Sequence, residues 1–192
     1  MSIEKISSRI RKTVENVSHA LDEKQLTVLD QIISAVTACL EKGNKVLLCG
    51  NGGSAADSQH IAAEFVGRFK KERKSYPAIA LTTDTSILTA VGNDYGYENV
   101  FSRQVEGLGL AGDILIGIST SGNSENVLRA FAAAKKQDIV TIAFTGAGGG
   151  KMSAAADFLF APEIDYTPDI QTSHIIALHT MCEIVENTLC DK

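Results

Sequence analysis

The sequence predicts a doubly wound α/β fold: a five-stranded parallel sheet with helices on both faces, preceded by two long helices. Five short, nearly continuous apolar runs recur along the chain: KVLLC (45–49), AIAL (78–81), DILIGI (113–118), IVTIAF (139–144) and DFLFA (157–161). Segments with helical character separate them, over 54–69, 84–91, 97–108, 124–137 and 151–156. Strands that are apolar on both faces and alternate with helices form a parallel sheet covered on both sides. In such sheets ligands bind beyond the C-terminal strand ends. Three glycine- or serine-rich turns fall there: GNGGS (50–54), STSGNS (119–124) and TGAGGG (145–150).

The elements follow in order. Ile3, Ile6, Ile10, Val14, Val17 and Leu21 step by three and four residues and form one helical stripe. The stripe is narrow, and this helix is expected to pack against another subunit. Leu26, Leu29, Ile32, Ile33, Val36 and Leu40 form a second stripe that stops at Gly43, a C-cap signal. The strand-and-helix alternation then begins. A last helix is predicted from Asp169 to Leu189, burying Ile170, Ile175, Ile176, Leu178, Ile184 and Val185. The 192 residues fit one domain: a helical segment, 1–42, and an α/β core, 43–192. A chain of this length buries roughly 70% of its unfolded surface.

Composition narrows the function. The net charge is −5, without the basic stripe that a phosphate backbone requires, so no nucleic-acid partner is expected. Cys39, Cys49, Cys182 and Cys190 form no C-x-x-C pair and lie among apolar neighbours, which fits reduced thiols in a reducing compartment. The opening MSIEKISSRIRKTVENV lacks the apolar stretch of a secretory signal, and no run reaches membrane-spanning length. The expectation is a soluble cytoplasmic protein without a membrane partner. A small anionic ligand held by a local site is compatible with all of this.

GNGGSAA carries Gly50-x-Gly52-x-x-Ala55, a weak form of the dinucleotide fingerprint. The acid that would hold a ribose is missing from the end of the second strand, where Thr82 and Thr83 stand; Asp84 comes too late. No G-x-x-x-x-G-K-[ST] occurs, which argues against a P-loop nucleotidase. A tight turn without a ligand is the plain alternative. STSGNS is more informative: Ser119, Thr120, Ser121 and Ser124 surround one glycine directly after a strand, and Ser124 can N-cap the helix that follows. Hydroxyls, backbone N–H groups and a positive dipole end suit a phosphate monoester. A serine-rich capped loop is the alternative there.

His60 and Glu64 stand one helical turn apart, on a polar stripe with Asp57 and Arg68. Ala62, Ala63, Phe65 and Val66 are expected to face the core. A polar stripe is ordinarily a solvated face. This one starts at the glycine turn, and a histidine and a carboxylate one turn apart suit both metal chelation and proton transfer. The last helix offers Gln171, His174 and His179; Gln171 and His179 lie about 80° apart around it, so both can border one pocket.

The stretches CGNGGSAADSQHIAAE, YPAIAL, VGNDYG, FSRQVE, GDILIGISTSGNS, GGGKM and IQ-x-x-H-x-x-x-x-H resemble the phosphoheptose isomerases of the sugar-isomerase (SIS) domain group. The resemblance runs from Gly43 onward; over the first 40 residues only the helical character matches. It implies a ketose–aldose isomerase that converts sedoheptulose 7-phosphate to D-glycero-D-manno-heptose 7-phosphate. It also implies a homotetramer with active sites between subunits. The implied substrate-binding residues are Asn51, Gly52, Gly53, Ser54, Asn93, Asp94, Ser119, Thr120, Ser121, Ser124 and Gln171. Implied metal ligands are His60, Glu64, Gln171 and His179, holding one Zn²⁺ per subunit, with Glu64 and His179 as the catalytic pair.

The chain departs from the family around the start of the last helix, where the segment PEIDYTPD (162–169) is also unusual. Asp169 and Thr172 flank Ile170-Gln171 where arginine and glutamate are usual, which reads as a charge reversal near the entrance, with Arg68 or Arg103 as compensating cations. A non-catalytic SIS scaffold that binds a DNA-replication initiator protein is the alternative function. Glu64 discriminates between them, because the scaffold has a small residue at the matching position.

Overall fold

The computed structural model describes residues 2–191. It opens with α1 (Ile3–Ala20) and α2 (Glu23–Glu41), the latter capped by the Asp22 carboxylate, which accepts from the Gln25 N–H at 2.9 Å. Five strands follow: β1 (Val46–Gly50), β2 (Ala78–Ala80), β3 (Ile114–Ile118), β4 (Val140–Phe144) and β5 (Phe158–Phe160). All pair in parallel, in the order β2-β1-β3-β4-β5. The connecting helices are α3 (Gly53–Val66), α4 (Thr85–Tyr95), α5 (Ser102–Leu108) and α6 (Glu125–Lys135), and α7 (Thr167–Cys190) closes the chain. The predicted doubly wound five-stranded sheet is therefore present.

The strands divide their side chains between two cores. Val46, Leu48, Ile114, Ile116, Ile118, Ile142 and Phe144 pack with α2, α3 and α7. Leu47, Cys49, Leu115 and Ala143 pack with α5 and α6 on the opposite face. Alternate residues of one strand thus enter different cores, which is why the strands read as unbroken apolar runs. Each fully buried Leu, Ile or Val contributes about 1.5–3 kcal/mol relative to exposure. Burial pushes the thiols of Cys39, Cys49 and Cys182 up, to about 11, 12 and 12, so these cysteines are inert core residues. Among the described residues, no helix is long and apolar enough to cross a membrane.

Several boundaries and faces differ from expectation. The segment expected as one helix over 97–108 is a 3₁₀ turn, Tyr97–Asn99, followed by α5; the segment 151–156 is a 3₁₀ turn, Gly150–Ala154. Ala63 and Val66 on α3, and Ile176 and Ile184 on α7, are exposed rather than buried. α1 is inverted relative to the usual arrangement. Arg9, Thr13 and Asn16 turn toward their own chain, while Ile3, Ile6, Ile10 and Val14 are 84%, 52%, 58% and 64% exposed. Only Val17 and Ala20 of α1 are buried. α4 buries no residue fully.

Candidate active site

From β1 the chain steps outward to β2, then returns to β3 on the other side of β1. The order of winding therefore reverses between β1 and β3, the crevice where open α/β sheets bind ligands. GNGGS leaves β1 there and STSGNS leaves β3. Asn51 and Asn126 join the two turns by a reciprocal amide pair, 3.0 Å one way and 2.8 Å the other, and the Tyr97 hydroxyl donates to the Asn51 carbonyl oxygen at 3.1 Å.

The STSGNS turn is shaped around its hydroxyls. Ser119 Oγ lies 2.8 Å from Ser124 Oγ and 3.5 Å from Ser121 Oγ. Ser124 occupies the N-cap position of α6, but its hydroxyl faces Ser119 and no side chain caps the helix. The first turn of α6 therefore offers its positive end to the crevice without a built-in acceptor. The TGAGGG loop braces this turn: the Gly146 N–H donates to Thr120 O at 3.0 Å, and the Met152 N–H to Gly122 O at 3.0 Å. Gly122 sits at φ +63°, and a Cβ on it would run into the Gly149 carbonyl, so a side chain there would be both strained and blocked.

α3 and α7 run side by side in the same direction. Near their starts the Gln171 amide lies against Gly53, where a Cβ would collide with it. Further along, His60, Glu64 and His179 converge, each offering one ligand atom within 4.8 Å of the others. His60 Nε2 is 2.8 Å from His179 Nε2 and 3.3 Å from Glu64 Oε1. The two rings meet edge to face at 5.0 Å between centroids, and Phe69 stands 5.7 Å from the His179 ring. His60 is exposed; Glu64 and His179 are half-buried. Burial raises the nearby Asp57 carboxyl, while His60 and His179 pull it back down.

The donor set fits a divalent zinc-type ion. Two imidazoles and a carboxylate are its ordinary ligands. Tetrahedral coordination at 2.0–2.1 Å places ligand atoms roughly 3.3–3.4 Å apart. The His60–Glu64 separation of 3.3 Å meets that, and the two imidazole nitrogens at 2.8 Å need only a small rotation.

Other candidates fall elsewhere. His174 belongs to the core: its Nε2 pairs with Thr145 O at 2.9 Å, its ring packs on Phe144 and Phe160, and burial pushes its pKa down to about 4 against the pull of that carbonyl. Asp84 caps α4 through the Ile87 N–H and holds no ribose. Asn93 and Asp94 lie exposed on the last turn of α4, hydrogen-bonded to each other at 2.8 Å. Asp169 does not reverse the charge of an entrance. It is fully buried, where it accepts from Arg9, from Thr13 at 3.0 Å and from Asn16 at 2.9 Å, tying α1 to α7. Arg68 pairs with Glu72 at 3.4 Å and Arg103 with Glu106 at 3.1 Å, so neither compensates for Asp169.

Sequence reading missed Asn126, Tyr97, Phe69, Arg73 and Glu186. Asn126 carried a usable signal, since it falls in the first turn after STSGNS. The others depend on contacts between distant segments.

A parallel sheet with a hydroxyl-lined turn at its switch point and a histidine–carboxylate group beside it defines a sugar-isomerase type of domain. The family model described as "SIS domain" matches residues 10–146. The similarity then narrows. The chain is 52% identical over 190 residues to the phosphoheptose isomerase of Aquifex aeolicus, covering 99% of each chain, and 51% identical to that of Sulfurimonas denitrificans, covering 96% and 95%. The structure of a phosphoheptose isomerase from Neisseria gonorrhoeae superposes with a TM-score of 0.90 at 43% identity, covering 96% of this chain and 98% of that one. One from Francisella tularensis gives 0.92 at 36%, covering 97% and 99%. The chain belongs to the phosphoheptose isomerase family of SIS-domain proteins.

Proposed function

We propose that this chain isomerises sedoheptulose 7-phosphate to D-glycero-D-manno-heptose 7-phosphate, as a cytoplasmic enzyme of heptose biosynthesis. The observation that carries the reading is the convergence of His60, Glu64 and His179 beside a switch-point crevice lined by serine hydroxyls. The phosphate sits in STSGNS, held by Ser119, Thr120, Ser121 and Ser124 and by the open end of α6. Ser54 helps hold the phosphate, Asn51, Gly52, Gly53 and Gln171 line the sugar, and Asn93 and Asp94, exposed on the last turn of α4, reach it where subunits meet. Seven residues separate Gly53 from His60 on α3, a rise of about 10 Å, so turn and histidine–carboxylate group bracket a long phosphorylated sugar.

Isomerisation moves a proton between adjacent carbons through an enediol(ate). Glu64 takes the carbon-bound proton, and His179 moves protons at the two oxygens. Anchoring the distant phosphate aligns the reacting carbons with Glu64. His60, Glu64 and His179 would hold one Zn²⁺ per subunit, and Gln171, whose amide rests against Gly53, would join them as a fourth ligand only by turning toward the group. A bound zinc ion supplies a Lewis acid that polarises the substrate oxygens. A carboxylate bound to metal is a weaker base, so Glu64 would act as base when loosened from the ion, or the ion would mainly organise the site. Glu64 drawn into this group also weighs against the non-catalytic scaffold.

The outward apolar stripe of α1 and the shallow seating of α4 support assembly with further copies of the chain. The reading is a homotetramer with sites between subunits. The test is incubation with sedoheptulose 7-phosphate, with and without a chelator, and assay of the aldose 7-phosphate. Formation that falls on chelation and returns with Zn²⁺ supports the reading; no aldose under any condition overturns it.

A further inference from the structure

The loop between α3 and β2 is anchored by one buried ion pair. Arg73 Nε lies 3.0 Å from Glu186 Oε1, with side chains only 4% and 2% exposed. Glu186 accepts more than this one bond. The backbone N–H groups of Phe69, Lys70 and Lys71 donate to it at 2.9, 2.7 and 2.8 Å, so one carboxylate gathers three successive amides and a guanidinium. Besides one bond to Lys74 O, Arg73 turns its remaining donors to the end of α3. It donates to Glu64 O and Phe65 O, both at 2.8 Å, and to Gly67 O at 3.0 Å. Glu64 and Phe65 are among the last four residues of α3, whose carbonyls have no partner within the helix. Its guanidinium also stacks on Tyr76, 4.3 Å from the ring centroid.

A buried pair is weak evidence of added stability, because desolvating both charges offsets their attraction. Its geometric consequence is larger here. Arg73 holds the backbone of Glu64 itself, at the end of the helix that carries His60. Glu186 sits two turns beyond His179 on the same face of α7. The amides that Glu186 gathers begin at Phe69, whose ring rests against His179. One pair thus links the backbone of one reacting side chain to the ring of the other, and touches neither functional group.

We propose that Arg73 and Glu186 are positioning residues. They clamp α3 to α7 at the spacing that lets His60, Glu64 and His179 act on one centre, and through Phe69 they set the tilt of the His179 ring. The proposal rests on the isomerase reading for its turnover consequence and on the ligand geometry alone for its metal consequence.

Two variants test it in the full-length protein. Glu186→Gln keeps the shape but turns an amide NH₂ toward two donors, either the Lys70 and Lys71 N–H groups or the Phe69 N–H and Arg73 Nε. Phe69→Leu keeps the clamp and removes only the ring against His179. For each variant, folding is checked by circular dichroism, Zn²⁺ affinity by competition with a chromophoric chelator, and turnover on sedoheptulose 7-phosphate as separate kcat and KM. The expected result in folded protein is a Zn²⁺ affinity lowered about 10-fold or more. kcat falls about 10- to 100-fold, with KM changed less than about 3-fold, since the phosphate end is untouched. Folded variants with wild-type Zn²⁺ affinity and kcat overturn the clamp, even if their melting temperature falls. If Glu186→Gln does not fold, Arg73→Lys, which keeps the charge beside Glu186 but loses the forked bonds to Glu64 O and Phe65 O, decides the clamp by the same readouts, and Phe69→Leu decides the tilt of the His179 ring. A wild type that binds Zn²⁺ but makes no aldose defeats the isomerase reading, and the affinity arm then judges the clamp. A wild type that neither binds nor turns over defeats both.

Discussion

His60 Nε2 and His179 Nε2 lie 2.8 Å apart, brought together from helices 119 residues apart in sequence. At that distance one ring donates a proton and the other accepts it, so the pair holds one proton between two nitrogens. Metal binding must replace that hydrogen bond with two lone pairs on one ion. His179→Ala leaves one imidazole and one carboxylate, and Zn²⁺ affinity in chelator competition is expected to fall at least about 10- to 100-fold. An unchanged affinity would remove His179 from the ligand set.

The serine turn predicts a different kinetic signature. Ser121→Ala combined with Ser124→Ala removes two hydroxyl donors, each worth about 1.5–3 kcal/mol toward a charged partner. The expected outcome is a KM for sedoheptulose 7-phosphate raised about 100-fold or more, with a smaller effect on Zn²⁺ affinity. Wild-type KM in the double variant would relocate the phosphate.

α1 predicts an assembly effect. Its polar residues hold Asp169 while its isoleucines face outward. Ile6→Asp with Ile10→Asp is expected to lower the sedimentation coefficient by dissociating subunits while leaving the circular dichroism of the α/β core intact. A native coefficient in the double variant would mean that this stripe covers nothing.

Acid stability follows from Asp113. Burial pushes its carboxyl up, but the Lys45 N–H at 3.0 Å, the Lys45 ammonium at 2.5 Å, the Leu110 N–H at 2.9 Å and Asn44 outweigh that and hold it below the usual carboxylate range. A depressed folded pKa stabilises the fold fully above the unfolded value of about 3.9 and loses that contribution as pH falls through the folded value. Urea midpoints measured between pH 7 and pH 2 should therefore drop at the acid end, and Asp113→Asn should flatten that drop while lowering stability at pH 7. An equal acid slope in both proteins would assign the loss to other carboxylates.

The sheet was legible because its central strands β1, β3 and β4 are buried on both faces, so their apolar runs need no partner to be recognised, while the short outer strands β2 and β5 are only partly covered. The turns were legible for the same local reason: GNGGS and STSGNS carry their chemistry within a few residues. Helix faces were harder. Ile176 and Ile184 are apolar yet exposed, and His174 is polar yet buried, because α7 packs along a side that its own periodicity does not mark. Asp169 and Glu186 were out of reach. Asp169 reads as an entrance residue and Glu186 carries no local signal, yet each carboxylate is buried because donors from a remote segment surround it, α1 for Asp169 and the loop after α3 for Glu186.

The most direct measurement compares wild type with Glu64→Gln, both folded and both supplied with Zn²⁺, on sedoheptulose 7-phosphate. The substitution keeps the shape of the side chain and removes its basicity. The account predicts that wild type forms the aldose 7-phosphate and that the variant's kcat falls about 10²- to 10⁴-fold. A Glu64→Gln enzyme that turns over like wild type would contradict Glu64 as the base.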